Sequence, residues 1–296
     1  MGINKKNILL LGSDGMIGHQ ILFGLIKENF LIHAHFKKKK SKHDYLKSEN
    51  TIFHFLEITQ ENIEEFLVDI NPDIIINAAG VTTRREREST INQIKFTNSL
   101  LPKILSSWSE KNDCRLIHFS TDCVFSGSKG GYKDNDEPDA FDTYGKTKGL
   151  GEVSGTNTLT LRSSMIGFEL YNKTELLEWV YSNKNKTING FSNVIYSGIT
   201  TTLMSKIVIK IIHDFPYLKG IYNISSAPIS KYSLLKKIND IFDLNIKVES
   251  VEYKPSDKSL ESIKFSSKTG IEIPSWNLML NELKNNWLLN KDIYED

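Results

Sequence analysis

Cysteine is nearly missing from this chain of 296 residues: only Cys114 and Cys123 are present, which excludes a disulfide framework and a four-cysteine zinc site. Charge of one sign is not in excess either. Lys and Arg number 37 against 36 Asp and Glu, a net +1 that marks no dedicated nucleic-acid binder. No apolar stretch approaches the ~20 residues of a spanning helix. The run Ile8–Leu11 after Met1-Gly-Ile-Asn-Lys-Lys stops at Gly12, too short for a secretory leader, and Lys6 stands where a myristoylation motif needs Ser or Thr. Internal repeats and low-complexity linkers are absent. Of the seven histidines only His33 and His35 approach ligand spacing, and one strand face cannot close a metal site alone. The expectation is a cytoplasmic protein with no metal, no membrane attachment and no nucleic-acid partner.

What is present is an ordinary globular composition, 39% hydrophobic and 25% charged. Short apolar runs at Asn7–Leu11, Phe30–His35, Thr51–Phe55, Asp73–Asn77, Arg115–Phe119 and Thr158–Leu161 read as strands. Residues 16–28, 60–70, 90–111 and 142–153 between them have helical spacing. That alternation predicts an α/β parallel sheet covered on both faces. Beyond about residue 165 the pattern loosens, with helices near 173–183, 201–213 and 230–242 and a strand at Gly220–Asn223. A smaller cap built against the first half is expected there.

The first strand runs into Gly12-Ser-Asp-Gly15-Met-Ile-Gly18 and then a helix. Glycines at this spacing allow a sharp turn, close approach of a pyrophosphate to a helix N-terminus and tight helix–strand packing, so the turn is a candidate dinucleotide site. Asp14 is out of place beside a phosphate unless its side chain points away. An NAD site usually places an acid about 20 residues on, at the end of the second strand. Here the strand ends in His35-Phe36 and then Lys37-Lys38-Lys39-Lys40-Ser-Lys42, which suits a 2′-phosphate. The cofactor expected is NADPH, with NADH left open.

Three further elements follow in order: Asn77-Ala78-Ala79-Gly80 at a strand end, Ser120-Thr121-Asp122-Cys123-Val124-Phe125 at the next, and Tyr144-Gly-Lys-Thr-Lys148 opening a helix. Tyr144 and Lys148, four apart, share a helix face, where an ammonium is expected to favour the phenolate. Thr121 adds a hydroxyl for the same carbonyl oxygen. Cys123, with no histidine nearby in sequence, reads as a small pocket-lining side chain. Trp108, Trp179, Trp276 and Trp287 read as core or interface anchors.

These motifs resemble the extended short-chain dehydrogenase/reductases and, within them, the dTDP-4-dehydrorhamnose reductase branch. The likeness extends through Asn98, Gly151-Glu152, Leu161-Arg-Ser-Ser164 and Gly220-Ile-Tyr-Asn-Ile-Ser-Ser226. It implies a Rossmann-type doubly wound sheet, with residues 1–165 plus about 190–222 binding NADP. About 166–189 and 223–296 would form a smaller α/β domain for the nucleotide sugar. It implies catalysis by Thr121, Tyr144 and Lys148. Cofactor contacts would come from Gly12, Gly15, Met16, Ile17, Gly18, Lys37, Lys38, Glu57, Ile58, Ala78, Ala79, Gly80, Asn98 and Ser120, with Tyr144 and Lys148. Substrate contacts would come from Asp122, Cys123, Val124, Phe125 and Lys258. Cys123 stands where the branch usually has tyrosine, and Lys258-Ser-Leu-Glu261 replaces an arginine-containing stretch, so the particular sugar stays open. The activity implied is NADPH-dependent reduction of the 4-keto group of a nucleotide-linked 6-deoxy sugar for surface polysaccharide. An NAD-retaining epimerase and a noncatalytic subunit like the beta subunit of methionine adenosyltransferase are the alternatives. Many relatives are dimers, which leaves a homodimer open.

Overall fold

The computed structural model describes residues 5–295; residues 1–4, where the stretch read against a myristoylation motif begins, and residue 296 lie outside the described residues. Six strands open the chain: β1 (Lys6–Leu11), β2 (Phe30–Phe36), β3 (Thr51–Phe55), β4 (Ile74–Asn77), β5 (Arg115–Ser120) and β6 (Thr158–Arg162). With the later strand Gly220–Asn223 they form one seven-stranded parallel sheet. From one edge the order is Gly220–Asn223, β6, β5, β4, β1, β2, β3.

β1 explains why the sheet has two covered faces. Ile8 and Leu10 enter one apolar cluster with Ile21 and Leu22 of α1 (Gly18–Leu25). Leu9 and Leu11 enter a second on the opposite face, with Phe66 and Leu67 of α2 (Ile63–Ile70). A strand buried on both sides reads as a continuous apolar run, as Ile8–Leu11 does. Each such side chain contributes roughly 1.5–3 kcal/mol over leaving it exposed.

The helical stretch after β4 is compound. α3 (Ile91–Lys95) begins at a capping box made by Thr90 and Gln93. A π turn over Phe96–Leu100 joins it to α4 (Leu101–Lys111). α5 (Thr143–Leu150) is capped by Asp142, which accepts from the Gly145 N–H at 2.8 Å. The C-terminal part contains α6 (Leu176–Ser182), α7 (Thr201–Asp214), α8 (Lys231–Phe242), α9 (Ile263–Thr269) and α10 (Trp276–Leu289). It also has a parallel pair of strands, Thr187–Phe191 with Lys247–Val251, which the loosened sequence pattern did not reveal. Phe168, Ile188, Leu234 and Trp276 from this part share one apolar cluster with Ile8 and Leu10.

A buried ion pair ties β6 to the end of α5. Arg162 donates to both carboxylate oxygens of Glu152, at 2.8 and 2.6 Å, and also to Asn223 Oδ1 at 3.1 Å. Glu152 also accepts from the Ser120 hydroxyl at 2.6 Å. Removing one partner strands a charge away from water, so Arg162→Met is expected to cost about 3–5 kcal/mol in equilibrium urea unfolding. The double variant Glu152→Gln/Arg162→Met should cost less than the sum of the singles.

Candidate active site

The strand order reverses between β1 and β4, which opens a crevice at their C-terminal ends. Register brings the predicted motifs to it at one level: Leu11 lies opposite Asn77, and Asn77 opposite His118. Gly12 turns the chain with φ +76°, and a Cβ there would stand 2.9 Å from the Ala79 nitrogen. A Cβ on Gly18, where α1 starts, would run into the Gly12 carbonyl. The two glycines keep the helix N-terminus close to the strand end, a cradle that fits a dinucleotide pyrophosphate.

A cleft of about 310 Å³ runs from Gly15, Met16, Ile17, Ala78, Ala79 and Gly80 to Ser120, Thr121, Cys123, Tyr144 and Lys148. At its far side a second cleft of about 760 Å³ begins; Arg84, Ser164, Met165 and Glu175 line both. The second is walled by Trp179, Tyr196, Lys231 and Lys258, and by Phe191 stacked on Tyr253 with ring centres 4.6 Å apart. The Lys231 ammonium lies 3.9 Å above the Tyr196 ring.

Several expected contacts stand elsewhere. Asn98, fully buried in the π turn, is occupied by the loop after Gly80: it accepts from the Val81 N–H at 2.8 Å and donates to the Val81 carbonyl at 3.0 Å. It also donates to Thr147 at 3.1 Å, joining that loop to α5. Its role is to brace the cleft wall. Val124 and Phe125 are fully buried with Tyr132 and Leu260, and Phe125 stacks on Tyr132 at 4.0 Å, so they form the floor beneath Cys123. Asp122 is buried and accepts from the Thr121 hydroxyl at 3.1 Å. Glu57 and Ile58 line a separate recess with Phe96 and Leu100.

The lysine cluster is divided by its contacts. Lys37 pairs with Glu57 at 2.6 Å, and Lys38 and Lys39 are exposed. Lys40 reaches back to Asp14 at 2.8 Å, and Lys42 is buried, donating to the Ile293 carbonyl at 2.8 Å. Asp14 is thereby neutralised within the glycine turn. Burial pushes its carboxyl up, but the His43 ring 3.6 Å away and the hydrogen bond from Lys40 outweigh this and hold it at about 2.

The ionisation of Tyr144 differs from the sequence expectation. Its phenol is held above the ordinary value, first by burial and next by Cys123, while the nearby Thr121 hydroxyl acts the other way. The Lys148 ammonium donates to the Phe119 carbonyl at 2.6 Å. Burial lowers Lys148 to about 8 against the raising effect of Glu152. Tyr144 is therefore a proton-bearing phenol on the same helix face as a lysine that holds its proton less firmly than usual.

Sequence reasoning missed Arg84, Glu175, Tyr196 and Lys231. The charged run Thr83-Arg-Arg-Glu-Arg-Glu88, directly after the Asn77–Gly80 turn, was the available signal for Arg84. Trp179, expected as an anchor, is partly exposed and lines the second cleft. The other three tryptophans pack as expected, Trp108 and Trp276 in the core and Trp287 stacked on Phe168.

A parallel doubly wound sheet with a glycine turn, a strand-end threonine and a Tyr–Lys helix facing one crevice defines an extended short-chain dehydrogenase/reductase. Residues 6–189 match the family described as RmlD substrate binding domain, and the chain belongs to that family. A dTDP-4-dehydrorhamnose reductase of Aggregatibacter actinomycetemcomitans is 25% identical over 258 residues, covering 78% of this chain and 87% of the relative. A crystal structure described as a hypothetical dTDP-4-dehydrorhamnose reductase of Sulfolobus tokodaii superposes with TM-score 0.74 at 25% identity, over 88% of this chain and 94% of that one. The Bacillus anthracis dTDP-4-dehydrorhamnose reductase in complex with NADP shares the fold with TM-score 0.79 at 20% identity, over 96% of this chain and 100% of that one. Among the described residues no helix is long and apolar enough to cross a membrane.

Burial raises the Cys123 thiol to about 12, with Asp122 adding to it, and burial likewise raises Cys114 to about 12. At pH 8 the thiolate is then on the order of 10⁻⁴ of either residue. Alkylation by iodoacetamide at pH 8, followed by intact mass spectrometry, should run at least about a hundredfold slower than for free cysteine.

Proposed function

We propose that this protein uses NADPH to reduce the 4-keto group of a nucleotide-linked 6-deoxy sugar, a step toward surface polysaccharide. One observation carries the reading: a single cleft joins the glycine cradle to Thr121, Tyr144 and Lys148 and meets a second cleft with stacked aromatic rings and lysines. The first suits a nicotinamide cofactor beside a carbonyl. The second suits a nucleobase and the charge that follows it.

In this reading Gly12, Gly15, Met16, Ile17 and Gly18 hold the pyrophosphate, and Ala78, Ala79 and Gly80 the middle of the cofactor. The bound cofactor supplies a hydride to the keto carbon. Thr121 and Tyr144 hydrogen-bond the keto oxygen, and Tyr144, kept protonated by burial, gives that oxygen its proton as negative charge develops. The resulting phenolate lies one helical turn from Lys148, whose ammonium stabilises it and donates to the nicotinamide ribose. Cys123 lines the hexose end and Lys258 the nucleotide end.

Lys37 and Lys38 meet the 2′-phosphate, with no acid at the end of β2 to prefer a free hydroxyl. Residues 1–165 with about 190–222 serve the cofactor, and about 166–189 with 223–296 serve the nucleotide sugar. We place the protein in the cytoplasm; exposed Ile91 and Leu150 on the neighbouring helices α3 and α5 support a homodimer.

The test is NADPH oxidation with dTDP-, UDP- and GDP-linked 4-keto-6-deoxy sugars, with product configuration read by NMR. Tyr144→Phe should lower kcat by about 10²–10⁴ while the Kd for NADPH stays within about twofold, because only the proton transfer is lost. Full activity in that variant would remove Tyr144 from the mechanism. kcat/KM should favour NADPH over NADH, and Lys37→Glu/Lys38→Glu should reduce that preference by roughly tenfold or more. Comparable efficiency with NADH in the unaltered enzyme would contradict it.

A further inference from the structure

The wall between the two clefts is an ion pair that lines both. Arg84 lies in the 3-10 turn Thr83–Glu88 that follows the Ala78–Gly80 turn, and its Nε stands 3.6 Å from Oε2 of Glu175, which immediately precedes α6. The same guanidinium donates to the Thr174 carbonyl, and the Thr82 hydroxyl donates to Glu175 Oε1 at 3.4 Å. Arg85 makes a parallel pair with the buried Glu169 at 3.1 Å. Glu169 is well satisfied, since its other oxygen accepts the Thr174 and Glu175 N–H groups at 2.6 and 2.8 Å. The Arg85–Glu169 pair is therefore a fixed strut. The Arg84–Glu175 pair is looser: longer, on the cleft surface, with Arg84 45% exposed.

A nucleotide sugar imposes an order on what lies along its path. With the hexose beside Tyr144 in the first cleft and the base against Trp179, Phe191 and Tyr253 in the second, the diphosphate crosses the residues common to both. Those are Arg84, Ser164, Met165 and Glu175. Two of them are apolar or neutral, one is a cation and one an anion. Lys231 adds a second cation on the nucleotide side, placed over the Tyr196 ring, with no carboxylate within salt-bridge distance among the described residues. A diphosphate laid there meets two cations and one obstructing carboxylate.

We propose that Arg84 is the diphosphate-binding residue of the substrate site and that Glu175 is its resident counter-ion, displaced when a nucleoside diphosphate binds. Arg84 then exchanges a single long contact to a carboxylate for a charge-assisted contact to phosphate oxygens, the geometry a guanidinium fork matches best. Glu175 keeps the Thr82 hydroxyl. Its carboxyl is held above the ordinary range by burial in spite of Arg84, so it bears the loss of its partner more easily than a fully ionised acid does. This rests on the nucleotide-sugar reading of the second cleft.

The experiment is calorimetric titration of the NADP-loaded protein with UDP, with dTDP and with inorganic pyrophosphate. Arg84→Gln should weaken the tightest of these by about tenfold or more, and Arg84→Lys should recover part of that loss. Glu175→Gln should tighten it several-fold, because the competing anion is gone, and should do so much less when Arg84→Gln is also present. Affinity unchanged in Arg84→Gln, or weakened in Glu175→Gln to the same extent as in Arg84→Gln, overturns the proposal and makes the pair a structural link. Failure here separates from failure of the reductase reading. Arg84-dependent nucleotide binding without ketosugar reduction keeps the seat and rejects the reaction, whereas reduction with nucleotide affinity indifferent to Arg84 does the reverse.

Discussion

The site depends on one constraint of register: β1 and β4 end at the same level on either side of the point where strand order reverses, and β5 runs two residues past them to Ser120. That alignment puts the glycine turn, the Ala78–Gly80 turn and Thr121 on one rim. It needs continuous apolar strands that fit between two helix layers, as Ile8–Leu11 and Ile74–Ile76 do. It also needs turns without side chains at the crossing points. Gly12 lies against Ala79, and the Gly151 backbone packs so closely on Asn98 that a Cβ would overlap the Asn98 carbonyl. Asn98, from its π turn, then fastens the loop after Gly80 to α5 and hence to Tyr144 and Lys148. A local departure from α-helical winding at such a position is common near functional sites.

Electrostatics at the rim are set by burial more than by neighbouring charges. Tyr144 keeps its proton, Lys148 holds its own less firmly than usual, and His118 beneath them is driven far below its ordinary value by burial first and by Lys148 second. Glu152 is the counterweight. It accepts from Ser120 and is clamped by Arg162, so one carboxylate both supports the cation on α5 and anchors β6. The reaction proposed for the site uses this poise: a phenol that starts protonated can deliver its proton only where negative charge develops next to it.

The sheet was legible in the sequence because buried parallel strands are short apolar runs, and six of them match their observed positions to within one or two residues. The rim proposed to be catalytic could be read for a similar reason, since Thr121, Tyr144 and Lys148 sit in local motifs whose spacing is set by one strand end and one helical turn. The C-terminal half was less readable. Thr187–Phe191 and Lys247–Val251 pair across some sixty residues, and their half-exposed faces carry no long apolar run. Cleft residues brought together by tertiary packing alone, such as Glu175, Tyr196 and Lys231, leave no spacing to read. The lysine cluster misled in one respect: adjacency in sequence put Lys40 and Lys42 with Lys37 and Lys38, whereas the fold sends one to Asp14 and buries the other against the short helix Lys291–Glu295.

On the proposed function, one cleft holds the nicotinamide cofactor and the keto carbon together. Single-turnover reduction with NADPH deuterated at the transferred position of the nicotinamide, followed by NMR of the sugar product, tests it most directly. The account predicts one deuterium on the carbon of the new hydroxyl and none there from deuterated solvent. Solvent-derived label at that carbon, or product formed with the NADPH label unmoved, would contradict it.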